Sequence, residues 1–243
     1  MTTNLTTSAG ARETPRPPTL SLLPPYYYVT PMLGPWNQGH LMQQCHLDEH
    51  RTGLLRRSGE DGEFAVAELK IVEAASEDTP KKKQMVAELL LFRHGRWSVE
   101  RPKTINGEGE NAAADLLSSW TTRTVLPVGD TDLCWVDLYR GLLLCRVFDR
   151  CPVLRHVPLP VETMEMEPLT GPGSARNVCV SGGGHMVKLV VVFPRCCCGG
   201  AGSTHCRHSH YAYTISTWTL KMDTMAWVMD GMVDATELWA SDA

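Results

Sequence analysis

Residues 132–160, DLCWVDLYRGLLLCRVFDRCPVLRHVPLP, constrain the fold more than any other stretch. Short apolar runs alternate there with turn-forming residues, a pattern of short strands rather than helices. Three strands are expected, over residues 133–138, 142–148 and 153–157. Tyr139-Arg140-Gly141 makes the first turn, where glycine takes φ > 0 without a Cβ penalty. Asp149-Arg150-Cys151-Pro152 makes the second, with φ fixed at the proline, and Pro158 and Pro160 end the third strand by withholding amide donors. The middle strand is apolar on both sides. Leu142, Leu144 and Phe148 point one way, and Leu143, Cys145 and Val147 the other.

The same signals recur along the chain. Residues 64–72 alternate, with Ala65, Ala67, Leu69 and Ile71 on the apolar side and Glu68 and Lys70 on the other, which predicts a half-buried strand. Residues 73–83 read as a charged turn region, 84–92 as the next strand, Arg93-His94-Gly95-Arg96 as a turn, and 97–100 as the start of a third strand. Residues 112–117 can form a turn or two of helix. Residues 177–180 and 186–193 read as a hairpin around Ser181-Gly-Gly-Gly-His185, and 211–220 and 225–229 as a further pair. Pro24, Pro25 and Pro31 exclude helix from an extended opening segment. Residues 1–20 are rich in Thr, Ser and Pro and are expected to be a disordered tail. A transit peptide is the minor reading, since the tail has only Arg12 and Arg16 and no amphipathic run. Residues 21–243 are then one β-rich domain with a loop insertion at 194–210.

Composition excludes little beyond this. Hydrophobic residues are 43% of 243 and charged residues 21%, as in ordinary globular chains. A net charge of −4 gives no field to draw nucleic acid or anionic membrane. No apolar run is long enough to span a bilayer, and no secretory signal opens the chain. Nine cysteines, an odd number, are expected as free thiols in a reducing compartment, cytoplasmic or nuclear. Lone Cys134, Cys145 and Cys179 read as small buried hydrophobes. Trp97, Trp135, Trp218 and Trp227 read as core rather than as a stacking platform.

Candidate chemistry is sparse. Cys196, Cys197, Cys198, His205, Cys206, His208 and His210 are the only dense set of soft ligands, and Cys196, Cys198, Cys206 and His208 are the metal candidates within it. Zinc takes paired donors two to four residues apart, whereas these pairs have one residue between them. A flexible Gly-Gly-Ala-Gly-Ser-Thr joins the halves, so an expanded loop outweighs a zinc site. Asp230-Gly231 with Glu237 lacks the oxygen ligands of a calcium loop at Ala226 and Val228. The Ser181 glycine run lacks the Lys-Ser/Thr of a phosphate loop, and no Gly-x-Ser-x-Gly elbow occurs. Asp137 and Arg140 are expected as a surface pair of little worth across the first turn.

LFRHGRWSV (91–99) and LKMDTMAWV (220–228) resemble each other as strand end, polar turn and tryptophan. Trp97 and Trp227 lie 130 residues apart, about three units of the ~40–45 residues usual for a propeller blade. The fold class expected is all-β, antiparallel meanders, propeller-like, an incomplete or open ring being one form of it.

With PTLSLLPPYY (18–27), GLLRR (53–57), EFAVAELK (63–70), WVDLYRGLLLC, PVLRHVPLP and TWTLKMD (217–223), the chain resembles a plant family, the grass-expanded domain of unknown function 1618. Arg146 stands where that family usually has an acidic residue. The resemblance covers most of 18–243 and implies a fold like the β-propeller domains beside plant F-box segments, with no enzymatic activity and no cofactor. No F-box is expected ahead of the domain. The function this implies is a non-enzymatic interaction scaffold for a protein partner, the alternatives being an adaptor of the F-box-associated kind or a zinc-stabilised binding module.

Overall fold

A computed structural model of the chain describes residues 22–31, 40–58, 62–75, 83–105, 110–160, 175–194 and 213–234. The chain divides into two units, Met1–His46 and Leu47–Ala243. The expected tail, residues 1–20, lies outside the described residues, and so does the loop insertion 194–210 apart from Pro194.

In the first unit β1 (Tyr27–Pro31) and β2 (His40–Gln44) pair antiparallel, with Tyr27 opposite Gln44 and Pro31 opposite His40. Cys45 N–H donates to the Tyr26 carbonyl at 2.8 Å and closes the open end of this ladder. The prolines predict an extended chain here; the pairing itself leaves no signal in the sequence.

The second unit holds three antiparallel meanders. The first sheet is β3 (Thr52–Arg56), β4 (Phe64–Ala75), β5 (Lys83–Arg93) and β6 (Arg96–Glu100), paired in that order. A three-residue strand, β7 (Lys103–Ile105), and the helix α1 (Glu110–Ser118) lead out of it. The middle sheet is β8 (Thr124–Val128), β9 (Asp132–Asp137), β10 (Gly141–Arg146) and β11 (Val153–Val157). β7 joins the outer edge of β11 in parallel, the one departure from antiparallel pairing among the described strands. The third sheet is β12 (Ala175–Ser181), β13 (Met186–Pro194), β14 (Tyr213–Lys221) and β15 (Ala226–Asp234).

The middle sheet is buried on both faces. Leu133, Trp135, Leu143, Cys145 and Leu154 pack with Leu55, Ala65, Leu69, Leu89 and Leu91 of the first sheet and with Leu117 and Trp120 at the end of α1. Cys134, Val136, Leu142, Leu144 and Val157 pack with Val178, Val187, Leu189, Val191, Trp218 and Leu220 of the third sheet. Strict alternation along β9 and β10 therefore feeds two separate cores. Phe148 departs from expectation: β10 ends at Arg146, so the alternation stops and Phe148 packs against the core that holds Val147.

Trp97 and Trp227 occupy matching positions, second in the last strand of the first and third sheets, opposite Phe92 and Leu220. Leu154 stands at the corresponding place on β11. The 130-residue spacing thus covers two meander steps instead of three, because β7 and α1 lengthen the first step, and nine-residue β13 and β14 with the segments 161–174 and 195–212 lengthen the second.

Two other expectations are corrected. Glu68 does face away from Ala67 and Leu69, but it is only 2% exposed, taking the Asp48 N–H at 3.3 Å and Lys70 Nζ at 3.3 Å. Cys179 is exposed, because on edge strand β12 the alternation turns Val178 inward and Cys179 outward.

Gly141 has φ +131°, and a Cβ there would lie 2.2 Å from the Val157 carbonyl oxygen. Gly141→Ala should cost about 3 kcal/mol or more, combining backbone strain and overpacking. Gly183, at φ +70° with nothing within 4 Å, meets only the left-handed penalty, about 1 kcal/mol for Gly183→Ala. Urea midpoints of the two variants check the contrast, and equal losses would mean that the contact with Val157 yields.

Candidate functional site

Charged and hydrogen-bonding side chains of the second unit gather at the two ends of the middle sheet. At the β9–β10 turn the centre is Asp137. One carboxylate oxygen accepts Tyr139 N–H at 2.8 Å and Arg140 N–H at 3.2 Å; the other accepts Thr121 N–H at 2.8 Å and faces an Arg140 guanidinium nitrogen at 3.4 Å. Asp137 is 1% exposed, so the expected surface pair is a buried anchor. Burial follows from the 119–123 segment, which crosses the turn and delivers the Thr121 amide. A carboxylate with three amide donors keeps its charge satisfied without water.

Around it, Arg140 Nε donates to Ser119 Oγ at 2.7 Å, and His156 Nε2 meets the Arg140 carbonyl at 3.0 Å. Trp120 packs edge-on against His156 with centroids 6.3 Å apart. Ser, His and Asp are therefore neighbours, yet each is engaged with Arg140 or with backbone. This wiring holds a turn; nucleophilic catalysis needs the nucleophile bonded to its base.

The opposite end brings three turns together. Glu63, ahead of β4, takes an Arg57 nitrogen at 3.1 Å on one oxygen and His94 Nδ1 at 2.9 Å on the other. The Arg57 guanidinium carbon lies 4.3 Å above the Phe148 ring. Arg93 donates to the Val147 carbonyl at 3.1 Å and also to that of Asp149, tying the first sheet to the β10–β11 turn. Ser58 Oγ donates to Asp130 at 3.1 Å, and Gly129 N–H donates to the Gly184 carbonyl at 2.7 Å. The Ser181 glycine run is the hairpin turn expected, with φ of +61°, +70° and +100° at Gly182, Gly183 and Gly184.

Arg146 is exposed and reaches back across the β9–β10 ladder to Asp132, with 4.0 Å between Nε and Oδ2. Burial first, and the Asp132 charge second, raise the pKa of both the Cys134 and Cys145 thiols, that of Cys145 to about 12. No group of three or more His, Cys, Asp or Glu among the described residues could hold a metal ion. Cys196, Cys198, Cys206 and His208 lie outside the described residues. Reading the sequence missed Glu63, Arg93 and Glu68. Arg93 reaches a carbonyl 54 positions on and Glu68 an amide 20 positions back, and no local motif marks these contacts or the Glu63 pairs.

These features define an all-β protein of stacked meanders whose described polar clusters tie turns together. Residues 135–243 match the family model described as Protein of unknown function (DUF1618), and the expected resemblance is shown over that stretch. The match begins inside β9 and takes in the third sheet; the description assigns no activity. No curated protein and no solved structure matches the chain. Among the described residues no helix is long and apolar enough to cross a membrane.

Thiol reactivity follows from burial. Near pH 8 the folded protein should be alkylated at exposed Cys151 and Cys179, while Cys134 and Cys145 stay protected until unfolding. Raised folded-state values mean that these two thiols favour the fold fully below their ordinary 9.0, and that this contribution fades as pH climbs from there toward 12. Mass spectrometry after a brief alkylation pulse reads the pattern, and early labelling of Cys134 would contradict it.

Proposed function

We propose that this chain is a non-enzymatic scaffold that binds another protein through a rigid stack of β-meanders. The observation that carries the reading is the outer face of the first sheet. Leu54, Val66, Phe92 and Trp97 line up across its four strands, with Glu68, Leu90 and Val99 in the next row. Phe92 packs on Phe64 and on Trp97, with centroids 5.8 and 5.1 Å apart. Leu54, 60% exposed, and Phe64 open one side of this face and Val99 the other, with buried Val66, Leu90 and Phe92 as the support between them. Contiguous apolar surface on a well-packed support is the usual mark of an interaction site.

The stack also supports a propeller-like reading. β8 touches both β3 and β12, so the first strands of the three meanders are neighbours, as innermost blade strands are about an axis. That arrangement, with the family resemblance, favours a plant protein of the F-box-associated kind, an adaptor that brings a client to a ubiquitin ligase. The negative net charge suits a protein partner in cytoplasm or nucleus better than nucleic acid.

Capture of partners from grass tissue with the full chain, beside a Leu54→Lys, Val99→Lys variant of equal stability, tests the scaffold. The same partners should return with the wild type and drop out with the variant. Repeated ligase subunits among them support the adaptor, and partner sets unchanged by the substitutions would sink the surface. A zinc-stabilised loop remains the smaller reading for Cys196, Cys198, Cys206 and His208. It requires about one zinc per chain in untagged protein, lost in a Cys206→Ser, His208→Ala variant, and absence of zinc from both rejects it.

A further inference from the structure

A different surface lies at the free edge of the third sheet. β15 is the last strand there, and among the described residues nothing pairs with its outer side. Val228, Met229, Met232 and Val233 are all exposed, Met232 at 65%. Among the described residues such an edge leaves a row of backbone donors and acceptors open from Val228 to Val233, which another extended strand can satisfy in series. Two of the usual defences, proline and lysine, are missing. The bulge of the strand, opposite Thr217 and Trp218, leaves Asp230 without a register partner. Asp230 turns back on its own sheet, meeting Thr219 Oγ1 at 2.8 Å and Lys188 Nζ at 3.2 Å.

The bulge changes which residues share a face. Val228 and Val233 stand with Thr219 and Ile215 on the outer face, whereas Met229 and Met232 stand with Trp218 and Ser216 on the face toward the core. Two such edges laid antiparallel about a twofold axis at Gly231 match face to face. Val228 of each copy falls opposite Val233 of the other, and Met229 opposite Met232. Gly231 sits at the centre, where a Cβ would meet nothing within 4 Å on its own chain, so the backbones can close up. The two Asp230 carboxylates are staggered about the axis, each neutralised by its own Lys188, so no unpaired like charges oppose one another. A single strand that is complementary to itself in register, face and charge fits a second copy of this chain.

We propose that β15 is a self-association edge, through which two copies pair antiparallel and join their four-stranded third sheets into one of eight strands. A twofold contact of this sort uses the same patch on both subunits, so each substitution acts twice. Sedimentation velocity of the full chain over a wide concentration range should show a concentration-dependent dimer. Met232→Lys places a charge opposite Met229 at both ends of the contact. It should convert the dimer to monomer while the urea midpoint, read at a dilution where both chains are monomeric, stays put, because the side chain is exposed. Val99→Lys, on the outer face of the first sheet, should leave the dimer intact. A wild-type chain that is monomeric throughout, or a dimer that survives Met232→Lys, overturns the proposal. A dimer lost with Val99→Lys and kept with Met232→Lys moves the contact to the other face and also overturns it.

Discussion

The middle sheet has no solvent face, and the rest of the second unit depends on that. All six residues of β9 and the first five of β10 are buried, so each face needs a cover. A sheet one layer deep cannot provide this alone. Two further sheets are required, and each in turn brings an outer face of its own. Three layers of roughly ten-ångström spacing thus follow from the two-sided burial of eleven residues, eight of them apolar.

Apolar layers fix contact area but only loosely fix position, because leucine on leucine tolerates sliding. Directional bonds between layers supply what the cores lack. Trp135 Nε1 donates 2.8 Å to the Arg51 carbonyl, crossing from the middle sheet to the approach of the first. Trp227 Nε1 donates 2.8 Å to the Pro158 carbonyl, crossing from the third sheet to the end of the middle one. Arg93 and Gly129 do the same at the turns. Each bond adds little net free energy, but a slip by one residue would strand the Trp135 N–H, which is fully buried, at a cost of about 1–3 kcal/mol. The polar groups act as alignment pins for the apolar layers.

This division explains what the sequence disclosed. The strands of residues 132–160 were legible because apolar alternation and turn residues are local signals, and Gly141, Pro152 and Pro158 mark the boundaries directly. β3, β7 and β8 were not legible. They are three to five residues long, β8 contains Pro127, and β3 carries Gly53, whose missing Cβ lets it approach Val125 and Leu133. Such strands exist because a neighbouring sheet edge receives them, which is tertiary information. Glu68 was misjudged for the same reason: its period is that of a solvent-facing residue, and only the 48–51 turn folding over it closes it off. Of the candidate site, the residues at the turns were visible as types, while the pairing of Glu63 with both Arg57 and His94 was not, since the partners lie six and 31 positions away.

The same logic separates scaffold from working surface. A charged side chain engaged inside the fold is spent: Asp137 holds a turn and Arg93 ties the first sheet to the β10–β11 turn, and altering either changes stability before anything else. Lys188 and Asp230 are nearly the reverse case. Their pair lies on the outside of the third sheet, tidies the charge of an edge strand, and pins no layer to another. A stack with both cores closed internally keeps its apolar remainder at the periphery, on the aromatic outer face of β3–β6 and along β15. Among the described residues of the second unit, exposed apolar side chains such as Leu54, Met229 and Met232 thus lie where the layering stops.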